Sequence, residues 1–265
     1  MPETFLLRET QTLDAPQGRE TECPSLTAGS YRLRFAASPQ DLAAVCRLRF
    51  LVFNLELGEG LETAYELGYD TDEFDAVCDH LIVEHCGTHQ VVGTYRLQTG
   101  MSAARNLGYY SEREFDFAPY ESLRSSMVEL GRASIHREHR SFQVLSLLWR
   151  GIVAYAKERQ MRYLIGCSSL TSQDSRVGSA MYGSLQHYLA DPALRTVPLS
   201  NYDMPINPAD LHANVRPPKL LRAYISIGAK ICGRPALDRE FKTIDFLTLL
   251  DMESMSNCAR SHFLF

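Results

Sequence analysis

The chain has 265 residues, 45% of them hydrophobic and 22% charged, with a formal net charge of −5. That length suits one core with decorations better than two domains, and the acidic balance argues against a general nucleic-acid binder. Seven scattered cysteines, never spaced C-x-x-C, argue against a disulfide framework or a cysteine zinc site.

No apolar run approaches the ~18 residues of a membrane span. The opening MPETFLLRETQTLD holds a short Phe5-Leu6-Leu7 but no signal-peptide core. A cytoplasmic protein is expected. Peripheral contact at the inner face of the cell membrane stays open, since that requires only an apolar surface.

Residues 1–29 mix Pro, Gly, Thr, Ser and Glu without periodicity and read as a flexible arm. Residues 30–252 read as a single domain, and 253–265 as a tail. Tyr31–Phe35 alternates like a first strand. Ser38-Pro-Gln-Asp41 is a helix start, with a capping serine, a proline at the first helical position and an acid three residues after the cap. The helix carries Leu42, Val45, Cys46, Phe50 and Phe53 and closes near Gly58-Glu-Gly60. Tyr69–Asp79 reads as an acid-rich loop. His80–Glu84 and Val91–Leu97, joined by Cys86-Gly-Thr-His89, read as a hairpin. Residues 100–126 form a mixed insertion. Met127–Ile135 is the next strand and Gln143–Arg159 an amphipathic helix. Tyr163–Cys167 is a buried strand, Ser175–Leu189 a helix, Leu220–Ile231 a helix, and Thr243–Leu250 a last strand. This order implies an α+β or three-layer design with a mixed sheet.

Glu129 and Arg132 head the chemistry. Making an amide from a thioester requires a deprotonated amine and donors for the tetrahedral oxyanion. A carboxylate at a strand end can take the proton directly or through water, and an arginine can anchor a carboxylate or hold the base. On spacing alone, a solvated ion pair is the commoner outcome. The turn that follows, Arg137-Glu-His-Arg-Ser-Phe142, supplies context. It resembles the acyl-donor turn of GNAT-type N-acyltransferases, where (Gln/Arg)-x-x-Gly-x-(Gly/Ala) lets backbone amides touch the pyrophosphate of coenzyme A. Here Arg140 and Phe142 occupy the two small-residue positions, and their bulk blocks that approach.

Asp70, Asp72, Glu73, Asp75 and Asp79 read first as a solvated acidic loop and second as a site for a cationic amine. No calcium register is present. His136-x-x-His139 lacks the spacing of a zinc helix, so His80, His136 and His139 read as structural or surface groups. Cys167, Ser168 and Ser169 lack a nucleophile elbow. Lys219, Arg222 and Lys230, with Arg137, Arg140, Arg150, Arg159 and Arg162, are either solvated helix faces or a dock for an acidic partner or lipid headgroups.

Several ordered segments together resemble the bacterial ornithine-lipid N-acyltransferases. That GNAT branch also includes N-acyl amino acid synthases and, more distantly, acyl-homoserine lactone synthases. The segments are Leu48-Arg-Phe-Leu-Val-Phe53, Phe74-Asp-Ala-Val-Cys-Asp-His-Leu-Ile-Val83, Val92-Gly-Thr-Tyr-Arg96, Glu129-Leu-Gly-Arg132 and Tyr224-Ile-Ser-Ile-Gly-Ala-Lys-Ile-Cys-Gly-Arg-Pro-Ala236. The resemblance spans roughly residues 31–251. It implies a three-layer α/β/α GNAT fold with a mixed, mostly antiparallel central sheet. It also implies transfer of a fatty acyl group, commonly 3-hydroxylated, from acyl carrier protein to the α-amine of an amino acid. Ornithine is favoured, giving a lyso-aminolipid.

By position, Glu129 and Arg132 match the family's catalytic strand motif. Arg49, Asp72, Asp75 and Arg96 are similar to the charged set of the lactone synthases, and Ser168 and Ser169 join them as substrate-binding candidates. Ile135, Arg137, Arg140, Ser141, Phe142, Lys219 and Arg222 are the candidates for the acyl donor and carrier protein. No metal and no permanently bound cofactor are implied. The donor brings its own acyl-phosphopantetheine, which needs no pyrophosphate nest. Relatives tend to have Asn where this chain has Lys242, a departure that bears on the acceptor. The competing readings are a synthase of free N-acyl amino acids or acyl-homoserine lactone, and a non-catalytic GNAT-like binder of lipid or a partner.

Overall fold

The computed structural model describes residues 26–213 and 215–255. Nine strands form one sheet in the order β1-β2-β3-β4-β5-β6-β9-β7, with β8 also paired to β9. They are β1 (Leu26–Ala28), β2 (Tyr31–Phe35), β3 (Asp79–His85), β4 (Gln90–Thr99), β5 (Met127–Ile135), β6 (Tyr163–Leu170), β7 (Lys230–Ile231), β8 (Ala236–Asp238) and β9 (Thr243–Asp251). Every pairing is antiparallel except β5 with β6. A parallel pair needs a crossover, and α4 (Phe142–Glu158) provides it.

The helix α4 lays Val144, Leu148, Ile152 and Ala156 against Leu33, Leu81, Val83 and Val92 of the sheet. On the other face, α1 (Pro39–Phe50) begins as its sequence predicts, with Ser38 Oγ accepting from Asp41 N and proline in the first turn. It continues into a π-helical stretch, Leu51–Leu57, which ends at Gly58 with φ of 69°. Val45, Leu48, Val52 and Phe53 of this arm pack on Ile82, Val91 and Phe241. Strand alternation sorts β4 between the faces: Tyr95 and Leu97 join the α4-side core, and Arg96 and Gln98 point the opposite way. The remaining helices are α2 (Thr63–Leu67), α3 (Gly100–Arg105), α5 (Ser175–Ser184) and α6 (Lys219–Ile227).

Some boundaries differ from expectation. Leu26–Ala28, read as part of the arm, is a strand on β2, whereas residues 1–25 lie outside the described residues. Met255, read as tail, is buried in the α4-side core, and 256–265 also lie outside. The acid-rich stretch is not a solvated loop: Glu73–Ala76 is a 3-10 turn, and Asp70 and Asp75 are buried. The helix α5 ends at Ser184, short of Leu189. Gly228, at φ of 113°, stops α6 and frees Lys230–Ile231 to pair as β7.

Gly166 on β6 shows how tightly the central strands meet. A Cβ there would sit 2.1 Å from the Leu130 carbonyl oxygen of β5. Gly166→Ala is therefore expected to push the two strands apart and cost about 1–3 kcal/mol, read as a lowered urea midpoint with an unchanged slope.

Candidate active site

Strands β5 and β6 pair only where Met127–Glu129 lie beside Tyr163–Ile165. Both strands then run on, to Ile135 and Leu170, without pairing to each other. A cavity of about 670 Å³ follows this gap. On the α4 side its wall is apolar: Leu130, Leu145, Trp149, Leu164, Tyr224 and Leu250. Strand residues of alternate parity, Arg96, Gln98, Glu129 and Asp245, together with Ser111 and Glu114 from the 110–114 segment, give the other side a polar wall. The cavity thus joins an apolar half to a charged half through the sheet.

Beneath the charged half lies a buried ion network. Arg49 Nε donates to Asp70 at 2.8 Å, and its terminal nitrogens donate to Asp75 at 2.7 Å each. Arg96 bridges Asp75, at 2.9 Å, and Asp72. Arg132 donates to Asp72 at 2.8 Å and stands 3.6 Å from Asp70. Three guanidinium groups thus offset three carboxylates. Burial opposes the charged form of Asp75, but Arg49 and Arg96 outweigh it and hold this carboxyl well below its ordinary range. Asp72 is lowered in the same way by Arg96 and Arg132. His80 Nε2 donates to the Asp75 carbonyl oxygen at 3.1 Å, and burial pushes the imidazole down to about 4, so it is neutral at pH 7. Arg49, Asp72 and Asp75, expected to meet substrate, do not line the cavity because they are spent on one another; of that charged set, Arg96 does.

Arg132 owes its position to an irregularity. The β4–β5 register slips between Thr94 and Arg96, so β5 carries an extra residue there, and Arg132 has φ of 50°. Such a bulge re-aims a side chain, and its left-handed backbone is a strain held by surrounding contacts. The guanidinium lies over Phe241 at 4.4 Å and Tyr110 at 4.9 Å. Glu129, across the strand pair from Gln98, is held by three donors: Ser111 N (2.8 Å) and Ser111 Oγ (2.6 Å) on Oε1, and Tyr110 N (2.8 Å) on Oε2. Burial raises its pKa, and the Ser111 and Tyr110 hydrogen bonds oppose that rise without cancelling it. The Gln98 amide is buried with neither its nitrogen nor its oxygen partnered.

A second acidic group escaped the sequence reading. Glu59, Glu114, Asp238 and Asp245 all line the cavity and are buried. One oxygen from each of Glu114, Asp238 and Asp245 lies within 4.8 Å of the others. Among the described residues no Lys or Arg forms an ion pair with any of these four. Burial, reinforced by Asp245 and Asp238, drives Glu114 well above the ordinary carboxyl range. Burial also raises Asp245, to about 6, and lifts Glu59 despite its bond from Thr171 Oγ1. The Cys167 thiol beside them is raised well above its usual value by burial and then by Glu114 and Asp245, so it is not a thiolate nucleophile. The sequence signal was Asp238-Arg-Glu-Phe-Lys-Thr-Ile-Asp245, whose informative members are its two ends. Lys242 occupies a left-handed turn position, φ 66°, and reaches out to Glu62. Asn at this position suits the same backbone, so the departure concerns the turn, not the cavity.

On the donor side, Ile135, Arg140, Ser141, Phe142 and Lys219 line the cavity, as do Ser168 and Ser169; Arg137 and Arg222 do not. Ser141 caps α4 through its hydroxyl. Arg140 folds back, with Nε on the Ile135 carbonyl and a bidentate pair to Glu56 at 2.5 and 2.8 Å. Phe142 is 67% exposed. The turn offers bulk where a pyrophosphate would need bare backbone.

A mixed, mostly antiparallel sheet, a parallel pair that separates around a cavity, and a helix starting at the mouth of that gap define an N-acyltransferase of the GNAT class. Residues 48–150 match the Acetyltransferase (GNAT) domain model. The chain is 32% identical over 247 residues to the L-ornithine N(alpha)-acyltransferase of Brucella abortus (strain 2308), covering 86% of this chain and 87% of that protein. The enzyme of the same name from Agrobacterium fabrum (strain C58) is 31% identical, with 86% and 83% covered. The chain belongs to the L-ornithine N(alpha)-acyltransferase family. Its fold is shared with an N-acyl amino acid synthase from uncultured soil microbes, with a TM-score of 0.52 at 12% identity over 88% of this chain and 95% of that one.

Two stability measurements separate the two acidic groups. Arg49→Met leaves buried aspartates without their cation and should cost about 3–5 kcal/mol in a denaturant melt. Asp245→Asn should do the reverse. A carboxyl whose folded pKa is raised binds its proton more tightly when folded, so it withdraws stability as pH climbs from about 3.8 through about 6. The neutral amide is expected to add on the order of 1 kcal/mol at pH 8 and much less at pH 4.5. A variant no more stable than the parent at pH 8 would contradict this.

Proposed function

We propose that the protein transfers a fatty acyl group from acyl carrier protein to the α-amine of ornithine, giving a lyso-aminolipid. The observation that carries this reading is the cavity that crosses the β5–β6 gap, apolar on one side and acidic on the other. The acyl chain occupies the apolar half, where the Tyr95 and Tyr224 hydroxyls, 2.5 Å apart, offer a polar point for a 3-hydroxyl. The phosphopantetheine arm lies in the gap beside Ile135, Ser141 and Phe142. It carries no pyrophosphate close to the thioester, which suits a turn with Arg140 and Phe142 at the small-residue positions. Lys219, at the cavity edge, with Arg137 and Arg222 on nearby elements, gives an acidic carrier protein its cationic contacts.

The amino acid occupies the charged half. Glu129 retains one open lone-pair direction on Oε2 and a raised pKa, which fits it to take the proton from the attacking amine, directly or through water. Gln98, with its amide unpartnered next to Glu129, supplies a hydrogen bond to the oxyanion. Arg132, fixed by Asp72, orders the site and faces the acceptor's carboxylate. The tetrahedral intermediate then expels the pantetheine thiol, which takes up a proton.

The test is incubation with 3-hydroxyacyl-(acyl carrier protein) and a pool of amino acids, followed by mass spectrometry. The expected product is the amide of ornithine with release of the free carrier, and coenzyme A esters should be poor donors. An amide of another amino acid, or a lactone in its place, would displace the acceptor assigned here. Glu129→Gln should lower kcat about 10²–10⁴-fold and Gln98→Leu about 10²-fold, both with little change in KM for the donor.

A further inference from the structure

We propose that Glu114, Asp238 and Asp245 form a subsite for the distal primary ammonium of the acceptor, and that this subsite sets its selectivity for a diamino acid. The inference rests on the amino acid N-acyltransferase reading above and names what recognises the far end of that substrate. The three carboxylates come from separate elements: Glu114 follows the 3-10 turn Tyr110–Arg113, Asp238 ends β8, and Asp245 lies on β9 opposite Ser169. All three line the cavity and are at most 4% exposed.

Their hydrogen bonds leave an unfilled demand. Asp238 Oδ1 accepts from Glu240 N and Phe241 N, Asp245 Oδ2 accepts from Thr243 Oγ1, and Glu114 Oε2 takes only a long contact from Cys167 Sγ. Glu114 Oε1 and Asp245 Oδ1 each lack a close donor, and the Ser169 hydroxyl and the Glu114–Asp245 contact that bear on Asp245 bring no positive charge. Buried acceptors without donors are costly, and buried anions without a counter-charge more so. The neighbouring network shows how this chain otherwise treats buried acids, since Asp70, Asp72 and Asp75 each have an arginine. A ligand that brings a cation and several N–H donors satisfies both demands. A primary ammonium has three donors on one point charge, one for each carboxylate. The raised pKa values of Glu114 and Asp245 fit a site that is incomplete until a cation arrives. Arg132 lines the same charged half and is the cation available to the acceptor's α-carboxylate, so each charged end of a diamino acid has a group of opposite charge to meet.

The experiment compares ornithine with norvaline, which has the same carbon chain but no distal ammonium, in the full-length protein and in Glu114→Gln and Asp245→Asn. Asp238 is left intact because it caps the β8–β9 turn. In the parent, kcat/KM for ornithine should exceed that for norvaline by at least ~10²-fold. Each variant should shrink this ratio at least tenfold, with KM for the acyl-carrier donor unmoved and the melting temperature at pH 8 not lowered. A ratio within threefold of the parent value in both variants overturns the subsite, as does equal loss with both acceptors. Thermal-shift titrations keep the proposal separate from the function reading. Ornithine should raise the parent's melting temperature more than norvaline does, even if no amide forms with any donor. If Mg²⁺, Ca²⁺ or Zn²⁺ stabilises the parent but not Asp245→Asn, and ornithine does neither, the three carboxylates hold a metal and the proposal fails.

Discussion

Everything on the charged side of the cavity hangs from the Arg49–Asp75–Arg96–Asp72–Arg132 chain. It joins α1, the 70–75 segment, β4 and the bulge of β5 through charge-assisted hydrogen bonds that water does not reach. In that setting each member is expensive to leave alone, so the set behaves as a unit rather than as four separate contacts. Its most consequential effect is on Arg132. A non-glycine residue with positive φ needs outside support, and here Asp72 on one side with Phe241 and Tyr110 on the other supply it. The network also removes three aspartates from the list of groups free to meet substrate.

That removal gives the second acidic group its meaning. One fold carries two buried acidic sets treated in opposite ways, one fully matched by arginine and one unmatched and lining a cavity. The first is architecture. The second is a local conflict with stability, and such conflicts gather where a ligand completes the arrangement. The Cys167 thiol and the Thr171 and Thr243 hydroxyls around it can donate but bring no positive charge.

Much of the architecture was legible in the sequence. Met127–Ile135 coincides with β5, and the apolar line Val144, Leu148, Ile152, Ala156 is the face α4 buries, because alternation and helical spacing persist long enough there to be read. The strands β1, β7 and β8 have two or three residues each, too few for any period, and β7 follows a helix whose pattern hides it. The acidic stretch was misread for a different reason. Nothing near Asp70–Asp75 announces that Arg49, Arg96 and Arg132 will converge on it, and partners distant in sequence leave no local mark. Glu114 and Asp245 were missed on the same grounds. The Glu129–Arg132 pair was found through family resemblance, yet its geometry differs from a simple ion pair: Glu129 is held by the Tyr110–Ser111 backbone and Arg132 by aspartates elsewhere.

The short seam between β5 and β6 has a consequence for turnover. Under the proposed reaction the product keeps its chain on one face of the sheet and its zwitterionic head on the other, threaded through the gap that let the two reactants meet. Leaving by way of water would expose the chain at about 0.8 kcal/mol for each methylene, a total for a long acyl group that rivals the barrier to a slow chemical step. A cavity well shaped to bring a lipid tail and an amino acid together is by the same geometry a trap for their union. Under that reaction, acyl-chain length sets the cost of release into water, and an acceptor phase for the tail, such as detergent or bilayer, lowers it.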